Sequence, residues 1–218
     1  MKNKLIIIIL LISTNCIFSQ KNDNIKTTSN SNTKILIDIP ENGKIENGKY
    51  KCNLFKWEIE IPSDFTITTQ ERMKQLEKKA YAAIQENTTV GKIVSREPNH
   101  LIGFEKDKYT IFVATYQSLE GTKKLSLEEH KNFSAKVVEE TYSGKGIKFD
   151  LVKNDLKLGV HNFYKIIVHL YHPKTDQLLL TQEIYTAHIN DHLFTAAIYY
   201  QDEKLGTILS HNFVKSFQ

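Results

Sequence analysis

The 218-residue chain carries 29 Lys and Arg against 25 Asp and Glu, a formal charge of +4, with 40% apolar and 10% aromatic residues. Its basic and acidic residues are interleaved, which excludes a nucleic-acid binder with cations gathered on one face, and the apolar content excludes a disordered polymer. Two cysteines, Cys16 and Cys52, are too few for a disulfide framework, and a chain of this size buries roughly 70% of its unfolded surface in one core without one.

At the start, Lys2 and Lys4 precede an unbroken apolar run from Leu5 to Ile12. A bilayer span needs about 20 such residues, whereas a secretory leader needs about 7 to 15. Residues 1–19 are therefore expected to be a signal peptide, cut between Ser19 and Gln20. Cys16 is an alternative lipid-attachment site, although Asn15 stands where lipoproteins carry a small residue. The expected location is outside the cytoplasm, periplasmic or secreted, and the membrane is a partner only if Cys16 is lipidated. Residues 20–49 are rich in Asn, Lys, Thr and Ser and read as a flexible polar tether, with a short strand at 35–39. Asn42-Gly43 and Asn47-Gly48 supply turn residues. One organised domain is expected over 50–218.

Its first strand is expected from Cys52 to Ile61, where Phe55, Trp57, Ile59 and Ile61 alternate with Lys56, Glu58 and Glu60. Thr68 and Glu71 have capping-box spacing, and Met73, Leu76, Ala80, Ala83 and Ile84 then recur at helical intervals, leaving Glu71, Lys74, Glu77 and Lys78 on the outer face. A hairpin follows, Leu101 to Phe104 with Tyr109 to Tyr116. Ser126 and Glu129 open a second helix striped by Leu127, Phe133, Val137, Val138 and Tyr142 and stopped at Gly144.

From Ile147 the chain turns to strands: Ile147 to Val152, about Leu156 to Val160, Phe163 to Tyr171, Leu178 to Ile189 and His192 to Tyr200, the last two joined by Asn190-Asp191. Several are apolar on both faces, and such a sheet needs cover above and below. Leu205, Ile208, Leu209, Phe213 and Phe217, after an Asp202 cap, supply part of it. The fold class is α+β, an antiparallel sheet covered by helices on both faces.

The strand ending Phe55-Lys56-Trp57-Glu58-Ile59-Glu60-Ile61-Pro62-Ser63-Asp64-Phe65 and the closing Ile208-Leu209-Ser210-His211-Asn212-Phe213-Val214-Lys215-Ser216-Phe217 resemble the PsbP/Mog1-like α/β/α sandwiches, over Lys51 to Gln218 and in their bacterial envelope branch. The resemblance implies binding without catalysis, as in a lumenal photosynthetic subunit, a nuclear-transport factor and envelope chaperones. It transfers no site residue.

Eight histidines invite a metal reading. His188 and His192, however, fall on opposite faces if Asn190-Asp191 is a two-residue turn, and His172 precedes Pro173 in a turn of its own, apart from His169. There is no G-x-S-x-G elbow, and Ser143-Gly144-Lys145-Gly146 lacks Walker spacing. No catalytic, metal or cofactor-binding residue is assigned. Tyr164, Tyr171, Tyr185, Tyr199 and Tyr200 crowd the last strands, and most belong in the core, with a groove if one sheet face stays open. The sequence thus reads as an exported, non-enzymatic binding or assembly module of the cell envelope, its partner an unidentified protein or hydrophobic ligand. One alternative is a chaperone-like holder of apolar segments or lipid. A small hydrolase is another, requiring some of His100, His130, His161, His169 or His211 to converge with a carboxylate or Cys52.

Overall fold

Alternating charged and apolar residues near the start of the domain build a small three-stranded antiparallel sheet in the computed structural model, which describes residues 43–88, 98–120 and 125–218. Strands β1 (Gly43–Glu46), β2 (Lys49–Cys52) and β3 (Trp57–Glu60) lie in that order. One face is wet, with Lys49 and Lys51 on Glu58 at 2.7 and 3.3 Å. The other buries Tyr50, Cys52, Trp57 and Ile59. The leader, Cys16, Ser19, Gln20 and the strand expected at 35–39 lie outside the described residues.

Two expectations are corrected here. The structured body begins at Gly43 rather than near Tyr50, because Asn47 and Gly48 (φ 51° and 72°) turn β1 back onto β2. The Tyr50 ring lies so close over Gly43 that a Cβ there would sit 2.4 Å from it, so a segment polar enough to read as tether is held by its partner strand. The strand expected from Cys52 to Ile61 is two strands, with Cys52 opposite Trp57 across a turn in which Lys56 has φ 49°. Phe55 is buried at that turn, so the alternation runs on through a break in the ladder.

The main sheet has seven strands, all antiparallel, in the order β4 (Thr66–Ile67), β5 (Asn99–Glu105), β6 (Ile111–Ser118), β10 (His192–Tyr200), β9 (Leu178–Ile189), β8 (His161–Tyr171) and β7 (Lys148–Leu158). The β5–β6 hairpin and the Asn190-Asp191 turn, with Asn190 at φ 50°, stand where the sequence places them. Strand β7 corrects the expectation of two segments. It pairs with β8 without interruption from Lys148↔Tyr171 to Leu158↔His161, and its polar middle, Lys153, Asn154 and Asp155, lies exposed at the sheet edge, where no burial is required.

Helices α1 (Gln70–Asn87) and α2 (Leu127–Gly144) cover one face of this sheet, α3 (Glu203–Lys215) and the small sheet the other. Under α1 and α2, Met73, Leu76, Ile84, Val137, Val138 and Tyr142 meet Val113, Ile166, Val168 and Ile184. On the far side Leu209 and Phe213 of α3 join Trp57, Phe112, Phe163, Tyr185 and Phe194. The fold is therefore α+β with helices on both faces, and the small sheet shares the second face. Ile208, expected in the buried stripe of α3, is 46% exposed, because the helix seats itself along the narrow seam of Gly206, Leu209 and Phe213. Among the described residues no helix is long and apolar enough to cross a membrane.

Candidate functional site

Because α3 packs on β10 and β3, among the described residues it leaves the outer strands of the sheet open on its side. Phe163 at one end of β8 is buried against Phe213 and Phe217, with ring centroids 6.1 and 5.0 Å apart. Further along the same face Lys165, Ile167, His169 and Tyr171 are half-buried. Cross-strand pairing sets Val152 beside Ile167, Asp150 beside His169 and Leu178 beside Tyr171. Val152 and Leu178 are 44% and 42% exposed. The polar groups of this face are fixed: Tyr171 donates to Asp150 at 2.9 Å, Lys148 pairs with Asp176 at 2.8 Å, and His169 Nδ1 lies 3.1 Å from the Thr181 hydroxyl.

Between this face and α3 lies Glu183, a carboxylate in the middle of an apolar strand. A buried charge persists only when its lone pairs are satisfied. Its Oε2 accepts from the Tyr185 and Ser210 hydroxyls, each at 2.7 Å, and from Lys165 Nζ at 2.9 Å, while Oε1 accepts from the Tyr200 hydroxyl at 3.1 Å. Burial pushes the carboxyl up, but the Ser210 and Tyr185 hydroxyls and the Lys165 ammonium outweigh it and hold it below its ordinary value. Glu183 is thus a fixed anion at neutral pH rather than a proton donor. It ties α3 to β9 through Ser210 and holds Lys165 at the margin of the open face, over the Tyr185 ring at 4.9 Å. The absence of a side chain at Gly206 lets α3 close onto the Tyr200 ring, which a Cβ would meet at 2.4 Å.

The histidines are spread over both faces of the sheet. His192 pairs with Ile189 and Leu193 with His188, so His188 and His192 point apart, as the two-residue turn requires. His188 meets His130 of α2 edge-on at 5.4 Å, and His192 meets Tyr116 at 5.4 Å and Phe55 at 5.7 Å on the α3 side. His161 packs on Phe217, His211 is exposed on α3, and His172 starts the turn after β8. His100 does meet a carboxylate, Glu77 Oε2, at 3.2 Å beneath α1, whereas Cys52 is buried on the opposite side of the sheet. Among the described residues His100 is thus the histidine, of the five a hydrolase could draw on, that meets a carboxylate, and that contact is buried and separate from Cys52. Among the described residues no three of His, Cys, Asp and Glu gather to hold a metal. Of the five tyrosines noted in the last strands, Tyr164, Tyr185, Tyr199 and Tyr200 are buried and Tyr171 lies on the open face.

Sequence reasoning missed two polar anchors. Glu77, read as an outer-face residue, lies four residues after Met73 and three before Ala80, and so on the buried stripe. Glu183 was signalled by its place as the one charge between Leu178 and Ile189, where only internal donors keep it ionised.

No protein-family model and no curated protein matches the chain. Among solved structures it is similar to that of cyanobacterial PsbP (CyanoP) from Synechocystis sp. PCC 6803, at 10% sequence identity and a TM-score of 0.49, over 87% of this chain and 97% of that one.

Proposed function

We propose that the chain is an exported, non-catalytic binding module whose open β7–β8 face receives an apolar segment of a partner protein. The observation that carries this reading is the stretch of sheet beyond α3 that no described residue covers, with Val152 beside Ile167, Leu178 beside Tyr171, and the polar row of Asp150, His169 and Thr181 between them. Exposed apolar residues set among paired polar ones offer contact area and fixed polar groups to a partner, and the rigid strands limit the entropy lost on binding. The leader read in residues 1–19 supports export, and the dispersal of the histidines supports binding over hydrolysis.

The test uses short apolar peptides as probes and follows backbone NMR shifts. Shifts centred on Val152, Ile167 and Leu178, lost in a Val152→Asp variant, support the reading. Unchanged binding in that variant, shifts elsewhere, or no binding by any of the peptides overturns it. Mass measurement of the protein recovered from its host tests export separately: a chain starting at Gln20, or an acylated Cys16, supports it, and an intact Met1 terminus overturns it.

A further inference from the structure

Strand β7 ends the main sheet, and its 11 residues pair with β8 on one side only. The two-residue turn Gly159-Val160, with Gly159 at φ 55°, makes Leu158↔His161 a bonded pair, so along this uninterrupted ladder the even-numbered residues of β7 bond to β8. The N–H and C=O groups of Phe149, Leu151, Lys153, Asp155 and Lys157 therefore point outward from the edge, and among the described residues no backbone bond engages them. An edge of this length is a template for another strand. The opposite edge, β4, offers only 2 residues.

We infer that β7 is a self-association edge, on which a second copy of this chain lays its own β7 antiparallel to the first about a two-fold axis at Asn154. The order of side chains selects this occupant. An axis normal to the sheet keeps every side chain on its own face, so odd residues meet odd and even meet even. About Asn154, Lys153 of each copy falls opposite Asp155 of the other on the α2 face, and Val152 falls opposite Leu156 on the open face. An axis one residue earlier sets Lys153 against Lys153. One residue later sets Asp155 against Asp155 and Lys153 against Lys157, and like charges directly opposite repel. Lys153 and Asp155 are both exposed. Lys153 Nζ lies 3.4 Å from the Asn132 side-chain oxygen and meets no carboxylate among the described residues. Asp155, held by Lys131 at 2.9 Å, keeps 71% of its side chain exposed and can accept from a second cation. The same charges turn away strands that lack the complementary order, which is how an open edge avoids indiscriminate pairing. Edge pairing leaves the open face uncovered and sets two such faces side by side, so self-association does not depend on what that face receives.

Sedimentation of the protein recovered from its host, over a concentration series, reads the association, and amide hydrogen exchange reads its place. One strand pair is a small interface, so a dissociation constant in about the micromolar to millimolar range is expected. Exchange at Phe149, Leu151, Lys153, Asp155 and Lys157 is expected to slow as concentration rises, while Asp150, Val152 and Asn154, already bonded to β8, hold constant. Lys153→Glu and Asp155→Lys, both at exposed positions, are each expected to weaken association at least about tenfold, since each sets like charges together on both sides of the axis. Mixing the two variants places opposite charges at both contacts again and is expected to recover the association. A chain that stays monomeric through the millimolar range overturns the inference. So do protection that falls outside β7, variants that associate as the wild type does, and a mixture that associates no better than either variant alone.

Discussion

Glu183 shows how one side chain can tie four elements of the molecule together. Its donors come from β8, β9, β10 and α3, so truncating it leaves Lys165 as an unpaired cation and three hydroxyls without their acceptor. Glu183→Ala is expected to cost about 3–5 kcal/mol, the usual loss when one member of a buried ion pair is removed, measured by urea unfolding at neutral pH. The pH dependence has a fixed sign. A carboxyl held below its ordinary value in the folded state stabilises above its unfolded pKa, near 4.5, and that contribution fades as pH falls through the folded value. Stability of the wild-type chain is therefore expected to drop more steeply from pH 5 to pH 3 than that of Glu183→Gln. Equal slopes would show that other carboxyls govern the acid limb. At this scale the sequence is legible where the chemistry is local to a strand: a lone carboxylate among apolar residues announces a need for donors. Which donors answer depends on residues far along the chain, such as Ser210, and no spacing rule reveals them.

Helices and hairpins divide by whether their defining contacts lie within a few residues. The second helix was readable to the residue because its capping box closes inside four positions: Glu129 N–H donates to Ser126 Oγ at 3.2 Å, and Ser126 N–H donates to Glu129 Oε2 at 2.7 Å. The first helix starts one residue later than its spacing implied. Thr69 caps it and accepts from Arg72 N–H at 3.2 Å, and since Arg72 has no carboxylate the reciprocal bond of a box cannot form. Ser126→Ala removes one cap bond at an exposed terminus and is expected to cost about 1 kcal/mol, whereas Thr69→Ala is expected to cost less. Thermal unfolding of the two variants side by side checks the order, and a larger loss from Thr69→Ala would contradict the capping account. Strand boundaries were less legible because a ladder has two sides. Polar Lys153, Asn154 and Asp155 read as a break, yet β8 pairs with them throughout, and Cys52 to Ile61 read as one strand although a turn separates Cys52 from Trp57.

Across the whole molecule, strands oily on both faces led correctly to cover on both sides, but how far that cover extends is a matter of where α3 lands. Its last turns stitch the second face together. Phe213 lies 4.6 Å from Tyr185 and 6.1 Å from Phe112, Phe217 lies 6.1 Å from Trp57, and Trp57 Nε1 donates to Ser216 Oγ at 2.7 Å, so the small sheet and the large one share a single helical clasp. That makes α3 unequal to the open strands it leaves behind. Losing one buried aromatic costs about 3–5 kcal/mol, and a domain has only about 5–15 kcal/mol in all. A chain ended at Gln201 loses Leu209 and Phe213 from the core, together with the partly buried Phe217. It is expected to keep strand-type circular dichroism from β5 to β10 while losing its cooperative thermal transition and gaining fluorescence with the dye ANS. Val152→Asp is the matched control. Its side chain is already exposed, so its transition is expected to stay within about 0.5 kcal/mol of wild type. A sharp transition in the shortened chain would mean that the small sheet closes the second face unaided, and the open β7–β8 surface would then owe its exposure to strand composition rather than to the reach of α3.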